Sequence, residues 1–259
     1  MKENKLVYLI STNRTDISIL LSRIEKELSH KENVDFVIST QSDGSYNKDS
    51  LLDNLAYIRC YKPGLSANRN CALSYFLKNY RNSYAIITDD DVEFRQELTY
   101  GQVDRVFSNN LADIVTGKVK IDSRSDYKDY ENTEYEHNQR SVNSVSSIEI
   151  IIKSDNDYPF FDEEFGLGAM YKMGEEAIFL GDCLKKNLKI FYSPISLFYH
   201  PYESTGKIID DSWYLAKGAF YKRRYGALLG AALLVRRVFQ MRSSISMSGI
   251  IILAKGYLK

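Results

Sequence analysis

Three consecutive carboxylates end a short apolar stretch of the chain. Residues 84–94 read Tyr-Ala-Ile-Ile-Thr-Asp-Asp-Asp-Val-Glu-Phe, with the carboxylates at Asp89, Asp90 and Asp91. Because side chains alternate along an extended chain, Asp89 and Asp91 share one face and Asp90 points to the other. Carboxylate oxygens suit Mg²⁺ or Mn²⁺, which fill their remaining positions with water or phosphate oxygens. The alternative is an acidic turn that only ends a strand, since Asp is a common turn residue.

The residues around these carboxylates predict alternating strands and helices. Apolar runs at 6–10, 34–38 and 55–60 predict strands. Apolar residues at helical spacing predict one helix over 16–29 and another that Ser66 is placed to cap. Strands that alternate with helices form largely parallel sheets, whose ligands bind beyond the carboxyl ends of the strands. We therefore expect the three aspartates to lie on the same edge as the loops that follow the first two strands.

The second half of the chain predicts further strands around one long polar segment. Residues 122–142 are polar, rich in Tyr and without periodicity. A loop of that length in a compact domain is usually functional or disordered. Strands are predicted at 112–121, at 147–153, and at 188–192 with an end at Pro194. Residues 197–201 form another short apolar run, which His200-Pro201 breaks.

Composition indicates an ordinary folded protein with an uneven distribution of charge. The chain has 259 residues, of which 44% are hydrophobic and 26% charged, enough for one α/β domain with a small appendage. Residues 1–211 carry 25 basic and 34 acidic side chains, a net charge of −9. The last 48 residues carry nine basic side chains and no acid, a net charge of +9. This asymmetry predicts a C-terminal tail with an anionic partner.

The cysteines and the apolar runs indicate an intracellular protein. Cys60, Cys71 and Cys183 have neither metal-type spacing nor a framework of pairs, which fits a reducing compartment. We expect no signal peptide, since residues 1–5 run directly into a strand-like stretch without a small-residue cleavage site. The longest uncharged apolar run, 225–235, is shorter than the roughly 20 residues that cross a bilayer. We expect a cytoplasmic protein without a membrane-spanning helix.

Four motifs follow one another in an order that resembles a known family. Each motif is a weak signal alone, but their joint order resembles the family-2 glycosyltransferases with the GT-A fold, especially the bacterial surface-polysaccharide type. The resemblance covers about residues 5–206 and implies a GT-A (Rossmann-like) α/β fold with a mixed, mostly parallel central sheet and flanking helices. The motifs are Gly-x-Ser-x-x-Arg-Asn at 64–70, Asp-Asp-Asp at 89–91, Phe-Gly-x-Gly at 165–168 with Gly-Glu-Glu at 174–176, and His-Pro-x-x-Ser-Thr at 200–205.

The resemblance implies a metal site and a donor site. Asp91 resembles the direct ligand of Mn²⁺ or Mg²⁺, Asp89 is a further candidate ligand, and Asp89 or Asp90 lies nearer the ribose and sugar. His200 resembles the metal-binding histidine near the C-terminal end of GT-A domains. For the nucleotide, the resemblance implies Thr12 and Arg14 along the base and ribose, Asp43 as a further base contact, Arg69 beside the base, and Ser204 and Thr205 near the diphosphate.

Gly174-Glu175-Glu176 resembles the family's Glu-Asp pair, whose second member is the general base. Here the second member is Glu176 rather than Asp, so the choice between Glu175 and Glu176 stays open. Two glutamates at a helix start are also favoured by the helix dipole without any catalytic role. The dipole tends to lower the pKa of a carboxyl group, so burial or the neighbouring acid must offset it in a base.

The tail is predicted to be a separate unit of basic amphipathic helix. We expect a catalytic domain over 1–212 and a tail over 213–259, in which arginine pairs at 223–224 and 236–237 alternate with apolar residues. Such helices lie on membrane surfaces, held by apolar burial and by attraction to anionic lipid. The alternative is a helical pair that packs on the catalytic domain or on another subunit. Nucleic acid is not expected as a partner, since no basic and aromatic interleaving marks the sheet.

Together these features predict an inverting, metal-dependent hexosyltransferase. It would move a hexose from a nucleoside-diphosphate sugar, UDP-linked in preference to GDP- or dTDP-linked, to a hydroxyl of a polysaccharide or lipid-linked glycan. The expected location is the inner face of the bacterial cytoplasmic membrane. Whether the protein forms a homo-oligomer stays an open question. The alternatives are a catalytically silent sugar-nucleotide-binding or membrane-peripheral subunit, and a phosphohydrolase with an Asp-x-Asp nucleophile. The latter usually has its motif on the first strand with Thr or Val where this chain has Glu93.

Overall fold

The structure is a computed structural model of the chain, and it describes residues 1–28, 33–42, 53–95, 97–200, 209–243 and 245–259. Three residues predicted to lie near the nucleotide or its diphosphate fall outside these ranges. They are Asp43, Ser204 and Thr205. These three stay candidates on the sequence resemblance alone.

Nine of the described strands form one central sheet, and two short ones pair beside it. In chain order the strands are β1 (Lys2–Glu3), β2 (Leu6–Thr12), β3 (Val34–Thr40), β4 (Leu55–Arg59), β5 (Tyr80–Arg81), β6 (Tyr84–Asp89), β7 (Glu93–Phe94), β8 (Ile114–Lys120), β9 (Tyr135–Glu136), β10 (Ile150–Lys153) and β11 (Ile190–Tyr199).

The central sheet is mixed, and its parallel part carries the aspartates. Its order is β4-β3-β2-β6-β10-β8-β11-β7, with β9 paired to β11. Pairing is parallel from β4 through β6 and between β8 and β11, whereas β10 runs antiparallel to both of its neighbours. Ser11 lies opposite Asp89, so β2 and β6 end side by side. The predicted α/β fold with a mixed sheet is confirmed.

Seven described helices flank the sheet and form the C-terminal part of the chain. They are α1 (Ser18–Leu28), α2 (Leu65–Asn79), α3 (Tyr100–Asn110), α4 (Glu175–Lys185), α5 (Asp211–Tyr225), α6 (Ala227–Gln240) and α7 (Met247–Leu258).

Strand β2 shows how the two layers of helices hold the sheet. Leu6, Tyr8 and Ile10 face one apolar cluster, to which α1 and α3 contribute. Val7 and Leu9 face a second cluster, to which α2 and α4 contribute. A strand buried on both faces must be apolar throughout, because its side chains alternate between the faces. This double burial fixes the edge at which β2 and β6 end.

Helices α2 and α4 both begin after a glycine with a left-handed backbone. Gly64 and Gly174 have φ angles of 96° and 100°, a region that favours glycine. The prediction that Ser66 caps α2 is wrong, because the helix begins at Leu65 and no side chain caps it. Ser66 Oγ instead donates a hydrogen bond to the Phe165 carbonyl oxygen at 2.5 Å. That bond ties α2 to the loop that precedes α4.

Strand β11 is longer than predicted. The expected strand over 188–192 begins at Ile190 and does not end at Pro194, because the same strand continues to Tyr199 and includes the start of the apolar run 197–201. The pairing of β11 with β8 shifts register around Pro194. Such a bulge accommodates proline, which has no N–H to donate to the ladder. The continued strand brings His200 next to the end of β8, where its N–H donates to the Lys120 carbonyl oxygen at 2.7 Å.

The segments on either side of residue 145 are more structured than the sequence predicts. The polar stretch 122–142 contains β9 and leads into a 3₁₀ helix, Ser141–Ser144. The strand predicted over 147–153 begins instead with a 3₁₀ helix, Ser147–Glu149, so β10 is only four residues long. The tight turn places the short side chain of Ser147, which is only 4% exposed, in the lining of a pocket.

The last three helices pack on the rest of the protein through α5. Arg224 of α5 is buried over Gly181 of α4, and its Nη2 donates to the Gln139 carbonyl oxygen at 3.0 Å. Helices α6 and α7 contact α5. The boundary expected after residue 212 falls inside α5. None of the described helices combines the length and the apolar character that a membrane span requires.

Candidate active site

A cleft follows the edge at which β2 and β6 end, and it consists of two adjoining pockets. The first, called the aspartate pocket, has a volume of about 300 Å³, and the second, called the glutamate pocket, about 540 Å³. Both are lined by Leu65, Asp89, Asp91 and Leu167. The aspartate pocket also contains Ser11, Thr12, Gln41 and Asp90, and the glutamate pocket contains Arg69, Ser147, Lys172, Glu175, Glu176, His200 and Lys217.

Thr12, Arg14 and Asp90 form one hydrogen-bonded group beside the aspartate pocket. Thr12 Oγ1 donates to Asp90 Oδ2 and accepts a hydrogen bond of 3.1 Å from the Arg14 N–H. Arg14 Nε lies 3.1 Å from Asp90 Oδ1. The loop after β2 and the turn after β6 thus meet through these side chains. The structure brings together three of the residues that the resemblance implies for the nucleotide.

Two polar side chains that the sequence did not single out support this group. Asn68 Nδ2 donates to the Thr12 carbonyl oxygen at 3.0 Å, and Asn68 Oδ1 accepts from Ser39 Oγ at 2.6 Å. Gln41 Nε2 donates to the Gly64 carbonyl oxygen at 2.8 Å. Buried polar groups are normally paired in this way. These bonds fix the start of α2 against the ends of β2 and β3, and only the position of Asn68 inside the 64–70 motif hints at them.

Arg69 is buried below three carboxylates in the glutamate pocket. Its Nη2 lies 3.2 Å from Asp89 Oδ1, and its Nη1 lies 3.4 Å from Glu175 Oε1 and 3.5 Å from Glu176 Oε1. Nη2 also donates to Ser147 Oγ at 2.7 Å. Burial acts to lower the pKa of Arg69, but the carboxylates outweigh it and raise the pKa. The resemblance implied a place beside the nucleotide base, whereas the guanidinium lines the pocket that holds the glutamates.

The two glutamates at the start of α4 differ in exposure. Glu175 is only 5% exposed, and a methyl group added at Gly166 would lie 3.2 Å from its carboxyl carbon. Burial, followed by the charge of Glu176, raises the pKa of Glu175 to about 7 against the opposing effect of Arg69. Glu176 is partly exposed and lines the glutamate pocket. Glu176 is therefore the carboxylate of the pair that a ligand in the cleft reaches more easily.

Asp91 and His200 meet at the rim of the glutamate pocket. His200 Nε2 lies 3.3 Å from Asp91 Oδ1, and the His200 ring contacts Tyr127 edge-on at 5.6 Å between centroids. The nearby His200 nitrogen lowers the pKa of Asp91. Asp91 Oδ1 is buried and accepts no well-aligned hydrogen bond. The Asp91 carboxylate oxygen is a ligand type that suits Mn²⁺ or Mg²⁺, and the imidazole nitrogen beside it favours Mn²⁺ over the harder Mg²⁺.

The described residues hold no group of three or more His, Cys, Asp or Glu that could by itself enclose a metal ion. Mg²⁺ and similar cations usually take one or two protein ligands and complete their shell with waters and substrate phosphates. Asp91 and His200 therefore fit a cation that a diphosphate brings with it. Asp89, which Arg69 already engages, lies beside them as a further oxygen donor.

Helix α5 adds a lysine to the cleft that the sequence did not reveal. Lys217 lines the glutamate pocket, and its Nζ lies 4.9 Å from the centre of the Phe220 ring. Burial lowers the pKa of Lys217. Lys172 lines the same pocket and pairs with Asp210 at 2.9 Å. The sequence assigned Lys217 to the tail, and no local pattern signals its place in the cleft.

A larger groove of about 790 Å³ lies on the outer face of α2 and contains none of the predicted site residues. Cys71 lines it, and the sulfur of Cys71 lies 2.6 Å from that of Cys60. Burial raises the pKa of Cys71 to about 12, so the thiol is protonated at neutral pH. The candidate residues that the structure describes therefore lie at the cleft rather than at this groove.

Comparison with solved structures shows the GT-A-like fold of glycosyltransferases. The structure of residues 1–349 of TarS from S. aureus matches with a TM-score of 0.62 at 15% identity, over 98% of this chain and 80% of that chain. The same protein in complex with UDP-GlcNAc matches with a TM-score of 0.61 at 15% identity, over 97% and 79%. The mannosyltransferase PcManGT from Pyrobaculum calidifontis, in complex with GDP-Man and Mn²⁺, matches with a TM-score of 0.51 at 9% identity, over 98% and 79%.

At these identities the likeness shows the fold alone. No family model matches the chain, and no curated protein sequence matches it. The chemistry must therefore be argued from the side chains of the cleft.

Proposed function

We propose that this protein is a metal-dependent, inverting glycosyltransferase that uses a nucleoside-diphosphate hexose. The observation that carries the proposal is one cleft in which Asp91 and His200 meet, beside the partly exposed Glu176. In a GT-A-like fold this cleft lies at the edge where parallel strands end, which is the usual ligand site of such sheets. The complexes of similar structures with UDP-GlcNAc and with GDP-Man support a sugar-nucleotide donor.

The donor would lie across both pockets. Thr12, Arg14 and Asp90 would contact the base and ribose in the aspartate pocket, with Asp43 as a further base contact. Asp89 and Asp91, which line both pockets, would face the diphosphate and the sugar. Ser204 and Thr205 are proposed near the diphosphate from the sequence alone. We propose UDP as the nucleotide because the similar structure that binds UDP-GlcNAc matches with a higher TM-score than the one that binds GDP-Man.

Asp91 and His200 would hold Mn²⁺ or Mg²⁺ together with the diphosphate. When bound, the cation would neutralise the charge that develops on the leaving group. The lowered pKa of Asp91 keeps its carboxylate ionised at neutral pH, as a ligand must be. Asp89 is held by Arg69 and would orient the sugar or the ribose.

Glu176 is the general base of the proposal. The acceptor oxygen would bond to the anomeric carbon as the bond to the diphosphate oxygen breaks, and the acceptor's proton would pass to the Glu176 carboxylate. One such displacement inverts the anomeric centre. Glu175 is covered and faces Arg69, so its part is to hold the guanidinium rather than to reach the acceptor. The acceptor proposed is a hydroxyl of a polysaccharide or lipid-linked glycan, on the cytoplasmic side of the bacterial membrane.

The proposal is tested by calorimetric titration of UDP, followed by turnover of a panel of UDP-, GDP- and dTDP-hexoses. We expect UDP to bind in the presence of Mn²⁺, and Asp91→Asn to weaken that binding at least about tenfold, because one of two protein ligands is lost. Glu164→Gln, an exposed carboxylate outside the cleft, is the matched control and should change nothing.

Metal-dependent UDP binding without release of UDP from any donor would favour the catalytically silent subunit. Release of inorganic phosphate from simple phosphate esters, without UDP binding, would favour the phosphohydrolase. UDP binding that Mn²⁺ does not affect would contradict the metal site.

A further inference from the structure

Helix α6 buries one apolar stripe against the protein. Leu234, Val238 and Met241 follow one another at intervals of four and three residues, which places them on one helix face. They belong to a small cluster that also contains Tyr214 of α5 and Leu253 of α7. This face gives α6 its attachment to the neighbouring helices.

A second apolar stripe of α6 faces away from the protein. Leu228, Val235 and Phe239 are 91%, 69% and 66% exposed, and Ala232 between them is exposed as well. Their intervals of four, three and four residues place all four on one face. A surface helix normally carries polar side chains on the face that points to water. The exposed apolar stripe is therefore a feature that the packing of the chain does not explain.

Helix α7 repeats the arrangement. Met247, Ile251 and Leu258 are all more than half exposed, and the half-buried Ala254 completes the same intervals of four, three and four residues. Gly249, Leu253 and Gly256 form the buried side of the helix. We call the exposed faces of these two helices the α6–α7 surface, and it consists of Leu228, Ala232, Val235, Phe239, Met247, Ile251, Ala254 and Leu258.

Close backbone packing fixes this surface in place. A methyl group at Gly218 of α5 would lie 2.0 Å from the Leu253 carbonyl oxygen, and one at Gly256 of α7 would lie 2.0 Å from the Leu215 carbonyl oxygen. Helices α5 and α7 therefore touch backbone to backbone. Arg224 of α5 in turn donates to Gln139, whose Nε2 donates to the Gly181 carbonyl oxygen of α4 at 3.4 Å. The exposed stripes are presented by a rigid support rather than by a loose tail.

The charged side chains of α6 and α7 and of the residues just after each helix are all positive. Arg236 of α6 and Lys255 of α7 are exposed, as are Arg242 and Lys259 just beyond the ends of these helices, and no acidic residue follows Asp211 in the sequence. The Arg242 guanidinium lies 4.4 Å from the centre of the Phe239 ring, so a cation sits directly beside the apolar stripe. Exposed apolar side chains with cationic neighbours are complementary to a membrane surface, which has an apolar acyl region beneath anionic headgroups.

We propose that the α6–α7 surface docks the protein on an anionic phospholipid membrane. The exposed apolar side chains would enter the headgroup region, while the four cations meet lipid phosphates. A second copy of the chain suits the surface less well, because it would bring the same cations together without an acid to balance them. The proposal goes beyond sugar transfer and does not depend on it.

Docking would also set the position of the cleft. Helix α5 supports α6 and α7 on one side and contributes Lys217 to the glutamate pocket on the other. A molecule held on the membrane by α6 and α7 would therefore keep its cleft at a constant position relative to the lipid headgroups. A lipid-linked acceptor would be met in that position.

The proposal is tested by co-sedimentation of the full chain with vesicles at low salt. Wild type should bind vesicles of phosphatidylcholine mixed with phosphatidylglycerol and not vesicles of phosphatidylcholine alone. Val235→Ser/Phe239→Ser should lower the partition coefficient at least about tenfold, since two exposed apolar side chains that would be buried in the membrane are lost. The matched control Ile19→Ser/Tyr61→Ser changes two side chains of similar kind, 67% and 84% exposed on another part of the protein, and should bind as wild type does.

The charges are tested separately. Arg236→Gln/Arg242→Gln should lower binding to the mixed vesicles about tenfold or more, because each cation near an anionic surface adds to the electrostatic attraction. Lys78→Gln/Arg105→Gln removes two exposed cations from α2 and α3 and is the matched control. Glu176→Gln should bind vesicles as wild type does, so failure of the proposed reaction and failure of docking are distinguishable.

Three results would overturn the proposal. The first is no binding of wild type to the mixed vesicles. The second is an equal loss of binding in the test and control variants. The third is a dimer of wild type, measured by light scattering without vesicles, that Val235→Ser/Phe239→Ser converts to a monomer while vesicle binding is unchanged, since the stripe would then serve self-association.

Discussion

The cleft and the α6–α7 surface treat charge in opposite ways. In the cleft, Arg69 is buried and has Asp89, Glu175 and Glu176 as partners, so each charge is held at a fixed distance from an opposite one. On the α6–α7 surface the cations are exposed and no acid lies on the same helices. A fixed network suits recognition of one small ligand. Exposed cations without acidic neighbours on the same helices suit attraction to an extended anionic partner, whatever its detailed structure.

The two regions also differ in how they use apolar side chains. Around the cleft, both faces of β2 are buried and serve only to hold the strand ends. In α6 one apolar face is buried and the other is exposed. Apolar side chains therefore support the candidate active site in one region and form an exposed surface in the other.

Removal of the buried arginine should produce the largest effect. Arg69→Met leaves three carboxylates around a buried position without a cation, and we expect the free energy of unfolding to fall by about 3–5 kcal/mol. Urea denaturation measures it. Arg14→Met is the control, since its side chain is 55% exposed and its pair with Asp90 should contribute less than about 1 kcal/mol. Equal losses of unfolding free energy in the two variants would contradict the contrast between the buried, paired charge of Arg69 and an exposed charge.

A methyl group at Gly218 should have the next largest effect. Gly218→Ala places its Cβ 2.0 Å from the Leu253 carbonyl oxygen, so α5 and α7 must move apart, and we expect a loss of about 2–3 kcal/mol in unfolding free energy. Gly101→Ala in α3 is the matched control, because nothing lies within 4 Å of its added Cβ. It should be neutral or stabilise by up to about 1 kcal/mol. No difference between the variants would show that α7 is not rigidly attached.

The pH dependence of stability tests the burial of Glu175. Its pKa is about 7 in the folded protein and near 4.5 in the unfolded chain, so the folded state binds the proton more tightly between these values. The stability that this group contributes is present below pH 4.5 and is lost as the pH rises through 7. Glu175→Gln does not titrate, so its unfolding free energy relative to wild type should rise over this range by about 1–3 kcal/mol. A difference that is constant with pH would contradict the raised pKa.

High salt should have little effect on the charge network of the cleft and a large effect on membrane binding by the α6–α7 surface. At about 1 M salt the Debye length falls to about 3 Å, which screens exposed charges but affects buried pairs much less. The destabilisation by Arg69→Met should therefore change by less than about 0.5 kcal/mol, whereas binding to anionic vesicles should be lost. If both change in parallel, the charges of the cleft are not buried as described.

The fold and the aspartate edge could be predicted because their signals are local. The apolar run that stops at Asp89 marks a strand end, and alternating strands and helices imply a sheet whose strand ends lie together. Strand β11 was mispredicted for the same reason, since Pro194 is a local break signal and the bulge that accommodates it depends on β8. In such cases the pairing with a neighbouring strand outweighs a strand-breaking residue in the local sequence.

The side-chain contacts within the cleft could not be predicted, because the residues that form them are far apart in sequence. Arg69 and Glu175 are separated by 106 residues and meet only when α2 and α4 pack on the same face of the sheet. Lys217 reaches the glutamate pocket from α5, a helix that composition assigned to the tail. In α6 the sequence is apolar on two faces, so periodicity alone could not show which face is buried.

The most direct test of the proposed chemistry is the turnover of a UDP-hexose by Glu176→Gln. UDP release in the presence of Mn²⁺ should fall by about 10²–10⁴-fold relative to wild type, because the acceptor hydroxyl or water loses its base. The variant should keep its affinity for UDP, since Glu176 does not line the aspartate pocket. Turnover equal to that of wild type would contradict the assignment of Glu176 as the base and, with it, the proposed reaction in this cleft.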